Sequence, residues 1–211
     1  MKCYHMTSLD RLKSINKLGL VPRNERNSKL VNDNKVKVFF SEGFEGTIAL
    51  FVDLNIVFNN IKNREIELAD REINNCVIKS KNLEEYLGKG VYLCFDKNNT
   101  KNERNFENGC TSDNIKPERL NVLVLKNIDK GTYTYSRFDI IIYMMSKIKP
   151  KDIKYYGEKY PDSPTFEEAT IKIQGKINAY YDANRKLIQK YSEDKYELIE
   201  IPLNKFIKEY L

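Results

Sequence analysis

A single histidine, His5, serves all 211 residues, and any chemistry that takes two histidines from one chain is thereby excluded. Histidine is the usual proton carrier near neutral pH and a common metal ligand, so the one copy carries more weight than its share of the composition. Cysteine is sparse and scattered: Cys3, Cys76, Cys94 and Cys110 form no C-x-x-C pair. With no second histidine to complete a common zinc set, they read as reduced thiols, and no metal site is expected. Long hydrophobic runs are missing too. The strongest, residues 48–58 and 138–145, are short or interrupted by Asp53, Asn55 and Asp139, whereas a bilayer span needs about 20 predominantly apolar residues. Both read as core, and no membrane partner is expected. The N-terminal stretch carries Cys3-Tyr4-His5 where a secretory signal would place a basic stretch and an apolar run, so a cytoplasmic location is expected.

What is present is ordinary globular material. Hydrophobic residues make up 41% and charged residues 31%, with no internal repeat and no long low-complexity tract. That balance predicts one domain or one elaborated domain, long enough to enclose a sizeable core. Lys and Arg number 36 against 30 Asp and Glu, a formal charge of +6. The excess permits an anionic partner but is scattered, and falls short of a dedicated nucleic-acid footprint.

Read for periodicity, residues 4–7 are extended. Ser8 then offers an N-cap oxygen to a helix whose Leu9, Leu12, Ile15 and Leu18 are spaced for one face. Gly19 supplies a left-handed stop, and Leu20 packs back. Residues 21–34 form a polar loop. Residues 35–41 read as a strand entering the core, followed by a turn at Ser41-Glu42-Gly43. Over 47–61 the apolar spacing predicts a buried-face helix with Thr47 as its cap, and 65–86 reads as one or two polar helices. A glycine-bounded strand covers 90–95, and the next full strand covers 120–125. Between them lies an irregular polar stretch, 102–111, that ends in a short strand. After Gly131 the pattern turns helical over 138–148 and 164–191, the second with Ser163, Pro164, Thr165 and Glu168 as start signals. A last strand is expected at 196–201 and a terminal helix at 203–211.

Three fragments stand in an order that periodicity would not single out: His5-Met6-Thr7 with its helix and Gly19-Leu20-x-Pro22, Val38-Phe39-Phe40-Ser41, and Asn108-Gly109-Cys110-Thr111 before Ile115-Lys116-Pro117-Glu118. Over residues 3–126 this order resembles the ADP-ribosyltransferase-like superfamily, most closely the branch with RNA 2'-phosphotransferases and DNA-targeting ADP-ribosyltransferase toxins. The resemblance implies an α+β fold, with a split β-sheet NAD-binding core over 1–130 and a mainly helical extension over 131–211 packed on it. The phosphotransferases' N-terminal lobe and its Arg-His-Arg segment have no counterpart, so action on an RNA splice-junction phosphate is not expected.

The activity so implied is cleavage of the nicotinamide-ribose bond of NAD, through a transition state of oxocarbenium character, with transfer of ADP-ribose to an unknown acceptor, protein or nucleic acid. By the resemblance, His5 hydrogen-bonds a ribose rather than acting as general base, Thr7 assists at the same strand end, and Ser41 lines the opposite wall. Glu107 is the first choice for the catalytic carboxylate and Glu103 the second, while Glu118, in the Pro-Glu turn, is expected to fall beyond the pocket. Arg23 and Arg104 are candidates for the NAD phosphates, and Phe44 and Tyr92 for nicotinamide stacking. Each has a structural alternative: His5 as a satisfied strand residue, Glu107 with Arg104 as a surface ion pair, Phe44 and Tyr92 as core, and Lys147, Lys149, Lys151 and Lys154 as a solvated connection. A non-catalytic interaction module on the same scaffold, and an NAD-dependent enzyme acting on a nucleic-acid phosphate or base, are the alternative functions.

Overall fold

The computed structural model describes residues 1–22, 38–62, 90–97, 106–107, 109–153 and 166–211. The expected loop at 21–34 beyond Pro22, the polar helices at 65–86, Cys76, Lys154 and the start signals at 163–165 lie outside the described residues.

The first strand, Lys2–Ser8 (β1), runs through a short 3₁₀ turn, Leu9–Arg11, into the helix Leu12–Leu18 (α1). Ser8 precedes the turn in extended conformation, and its side chain makes no capping bond. Leu12 and Ile15 are buried, but Leu18 is 55% exposed. At about 100° per residue, Leu18 stands about 120° away from Leu12 around the helix; the expected stripe is narrower by one residue. Gly19 ends the helix at φ 77° and ψ −173°. This is positive φ, as expected, but with extended ψ rather than the left-handed helical value. The chain therefore leaves α1 straight, and Leu20 forms a two-way bridge with Ile115 (Leu20 N to Ile115 O 2.9 Å, Ile115 N to Leu20 O 3.1 Å).

The predicted strand ending at Ser41 divides in two, Val38–Phe39 (β2) and Ser41–Glu42 (β3), which enter different sheets. The helix after it, Gly43–Lys62 (α2), begins four residues before the expected cap. Thr47 lies one turn inside, where its hydroxyl donates to the Gly43 carbonyl at 2.7 Å. Such back-bonding is what a threonine does inside a helix when it is not capping one.

The remaining strands are Gly90–Asp96 (β4), Phe106–Glu107 (β5), Cys110–Thr111 (β6), Asn121–Asn127 (β7), Thr132–Thr134 (β8) and Tyr196–Pro202 (β9). The main sheet is antiparallel and runs β3-β1-β4-β7. β9 pairs along the whole of β7, so β4 and β8 share the other edge of β7, at residues 121–122 and 125–127 respectively. A second, small sheet runs β2-β6-β5. Helices are Arg137–Lys147 (α3), Phe166–Ala183 (α4), Arg185–Ser192 (α5) and Leu203–Tyr210 (α6). The expected helix 164–191 is thus two helices, broken at Asn184, whose side-chain amide bonds the Tyr180 carbonyl at 2.9 Å. With β8 and β9 in the main sheet, the C-terminal third is part of the same α+β core as well as helical.

Both faces of the main sheet are covered, which is why β4 reads as a continuous apolar run rather than an alternation. On one face Tyr4, Tyr92, Cys94, Leu123 and Leu125 meet α2, α3, α4 and α5 through Ile48, Phe51, Ile141, Met144, Ile177 and Tyr191. On the other, Cys3, Val91, Leu93, Phe95, Val122 and Val124 meet Leu12, Ile15, Val38, Phe40, Ile115 and Phe206. The first residue of α3, Arg137, is wholly buried, and its guanidinium lies against Gly90, where any Cβ would overlap it. Cys3, Cys94 and Cys110 are buried; desolvation raises the Cys3 thiol to about 11. Among the described residues, no helix is long and apolar enough to cross a membrane.

Candidate functional site

Alternation along β1 sends successive side chains to opposite faces. Tyr4 and Met6 join the core beneath α2, whereas Cys3 faces α1 and the small sheet. His5 and Thr7 share Cys3's side, opposite Leu93 and Val91 of β4. Thr7 is buried and His5 is half-buried.

The His5 ring is anchored across the gap between the two sheets: Nδ1 lies 2.7 Å from the carbonyl oxygen of Phe39 in β2. A carbonyl only accepts, so Nδ1 carries the proton, and in the neutral ring Nε2 is left as an acceptor. Desolvation lowers the pKa of His5 and the nearby Arg11 guanidinium lowers it further, against the opposing effect of the Phe39 carbonyl bond. The imidazole is therefore neutral at neutral pH. Among the described residues no hydrogen bond engages Nε2.

Phe39 is also the route to the first-choice carboxylate. It pairs with Cys110 of β6, and Cys110 pairs with Glu107 of β5, so the three residues form one row across the small sheet. At about 4.8 Å per strand, the Glu107 Cα stands about 10 Å from that of Phe39. The backbone that holds His5 and the backbone that carries Glu107 thus belong to one three-stranded unit.

The other candidates fall elsewhere. Ser41 pairs with Tyr4 and therefore faces α2, where its hydroxyl lies 2.7 Å from Thr47 Oγ1 and donates to the Tyr4 carbonyl at 3.2 Å. It fastens β3 to α2 on the side opposite His5 and lines no wall facing it. Phe44, in the first turn of α2, packs on Tyr4 at 5.9 Å between ring centroids. Tyr92 is 0% exposed and belongs to that same α2-side core. Neither ring is on the His5 face. Glu118 is exposed on the 3₁₀ turn Pro117–Arg119. Arg23, Glu103 and Arg104 lie outside the described residues, as does the side chain of Glu107.

Three charged residues near this junction were not singled out by sequence. Arg11 follows β1 closely enough for its charge to act on His5. Glu42 pairs with Cys3 in β3, which places it on the His5 side, and its carboxylate meets Lys97 Nζ at 2.6 Å. A period-two reading of Ser41-Glu42 as strand rather than turn would have put Glu42 on that face. No group of three or more His, Cys, Asp or Glu side chains is arranged to hold a metal among the described residues. No protein-family model, curated protein or solved structure matches the chain.

Proposed function

We propose that the chain is an ADP-ribosyltransferase-like enzyme of the cytoplasm that takes NAD on the His5 face of its sheet and cleaves the nicotinamide-ribose bond. The observation that carries the reading is the His5 anchor: a neutral imidazole whose Nδ1–H is held by Phe39 O at 2.7 Å, on the same row of backbone that leads to Glu107.

In that arrangement Nε2 of His5 accepts a hydrogen bond from a ribose hydroxyl. Burial has made the ring a poor base, which suits orientation of the sugar rather than proton abstraction. The glycosidic C–N bond breaks with its electron pair going to nicotinamide, whose pyridinium charge is thereby neutralised. Positive charge then develops on the ribose, and the Glu107 carboxylate stabilises it electrostatically, commonly the largest catalytic contribution. An acceptor nucleophile, on a protein or a nucleic acid, closes the bond to the anomeric carbon and loses its proton.

The test is nicotinamide release from NAD, followed by chromatography, for the wild type, Glu107→Gln and His5→Ala. The reading expects release by the wild type and at least about a hundredfold loss in Glu107→Gln, in the range of a removed electrostatic stabiliser. A wild type that releases no nicotinamide overturns it.

A further inference from the structure

Glu42 occupies a position that the reaction chemistry above does not use. Its carboxylate accepts from Lys97 Nζ at 2.6 Å and lies 3.5 Å from the backbone N–H of Gly109. Lys97 directly follows β4, and Gly109 sits in the turn between β5 and β6. One carboxylate therefore touches both the end of β4 and the β5–β6 turn, next to the strand that carries Glu107. Backbone bonds reinforce both places: Phe40 N donates to Gly109 O at 2.8 Å, and Lys97 N donates to Met1 O at 2.9 Å. The two charged side chains are only 12% (Lys97) and 23% (Glu42) exposed, so the pair is shielded from the solvent screening that makes surface ion pairs weak.

We infer that Glu42 is a positioning residue: by joining Lys97 and Gly109 it staples the end of β4 and the β5–β6 turn to β3 and so sets where the backbone of Glu107 in β5 stands relative to His5. The staple acts through β3, which pairs with β1, the strand of His5. The catalytic part of this inference rests on the proposed NAD reaction; the mechanical part does not.

Two readouts separate them. Amide hydrogen exchange in Glu42→Gln is expected to speed up by about tenfold or more at residues 106–111, with β1 and β4 amides unchanged. Lys97→Met, which breaks the same pair from the other end, is expected to reproduce the effect and serves if Glu42→Gln does not fold. Lys97→Arg, which keeps the pair, is expected to exchange like the wild type. For nicotinamide release, Glu42→Gln is expected to lose about tenfold or more in kcat, with NAD affinity kept within about threefold. Unchanged exchange at 106–111 in both pair-breaking variants overturns the staple, whatever the activity. Faster exchange with unchanged kcat overturns the positioning role. A wild type without nicotinamide release overturns the proposed reaction and the positioning role with it, while exchange still decides the staple.

Discussion

Replacing Gly19 with alanine perturbs the joint between α1 and the Ile115 segment at a point where both the backbone and its surroundings demand glycine. At φ 77° and ψ −173°, the residue lies in a region that is essentially glycine's alone, where other residues carry about 1–3 kcal/mol of strain. A Cβ would also overlap the Ile115 carbonyl oxygen and come within 2.8 Å of Asn114 Oδ1. That carbonyl accepts from Leu20 N at 2.9 Å, and Ile115 N donates back to Leu20 O at 3.1 Å. Moving it endangers two hydrogen bonds, each worth about 0.5–1.5 kcal/mol. Strain and bonds together give about 2–6 kcal/mol. For a chain of this size that lowers Tm by roughly 10 °C, at about 2–4 °C per kcal/mol. Thermal unfolding followed by circular dichroism measures it. Asparagine offers no rescue, because its tolerance is for the left-handed helical region and not for extended ψ. Gly175→Ala in α4 is the contrasting control: nothing lies within 4 Å of its Cβ position, so the better helix former is expected to stabilise by about 1 kcal/mol. A Gly19→Ala protein that melts with the wild type refutes the assigned geometry.

His5 is the only histidine, so its titration is separable from all others. Its folded-state pKa is depressed by burial, and below the usual value of about 6.5 the unfolded chain takes up the proton first. The stability contribution is thus full above that value and declines as pH falls toward the folded pKa. Urea unfolding of His5→Gln is expected to show a flatter pH dependence between about pH 7.5 and about pH 5.5 than the wild type; identical slopes would contradict the burial. Ser41→Ala removes the hydroxyl that bridges Thr47 and Tyr4 and is expected to cost about 1–2 kcal/mol in denaturant unfolding, with NAD affinity unchanged. A selective loss of NAD binding at full stability would instead put Ser41 in the site.

Where local pattern and burial agree, the sequence is a direct guide. The Gly90 to Asp96 strand announces itself by an apolar run between a glycine and a charge, and β9 and α6 follow from alternation and amphipathic spacing at Tyr196–Pro202 and Leu203–Tyr210. The division of Val38–Glu42 between two sheets is another matter, because it depends on which partners the strands find and not on their own composition. The same pairing decides that Ser41, opposite Tyr4, turns away from His5. Thr47 has the same identity whether it caps a helix or back-bonds within one. The partner that holds His5 is a backbone carbonyl, an acceptor that every residue carries and no motif records. The role of Glu42 is unreadable in sequence for a related reason: the side-chain contacts to Lys97 and Gly109 reach 55 and 67 residues along the chain.

The central claim is that His5 presents a neutral Nε2 acceptor to an NAD ribose. Because the chain holds one histidine, a long-range proton-nitrogen NMR spectrum of its imidazoles contains one ring and needs no assignment. The account predicts the Nδ1–H tautomer at neutral pH in the free protein, and a saturable shift of the Nε2 resonance on titration with NAD. An Nε2–H tautomer, or an Nε2 resonance that does not move at any NAD concentration, would contradict it.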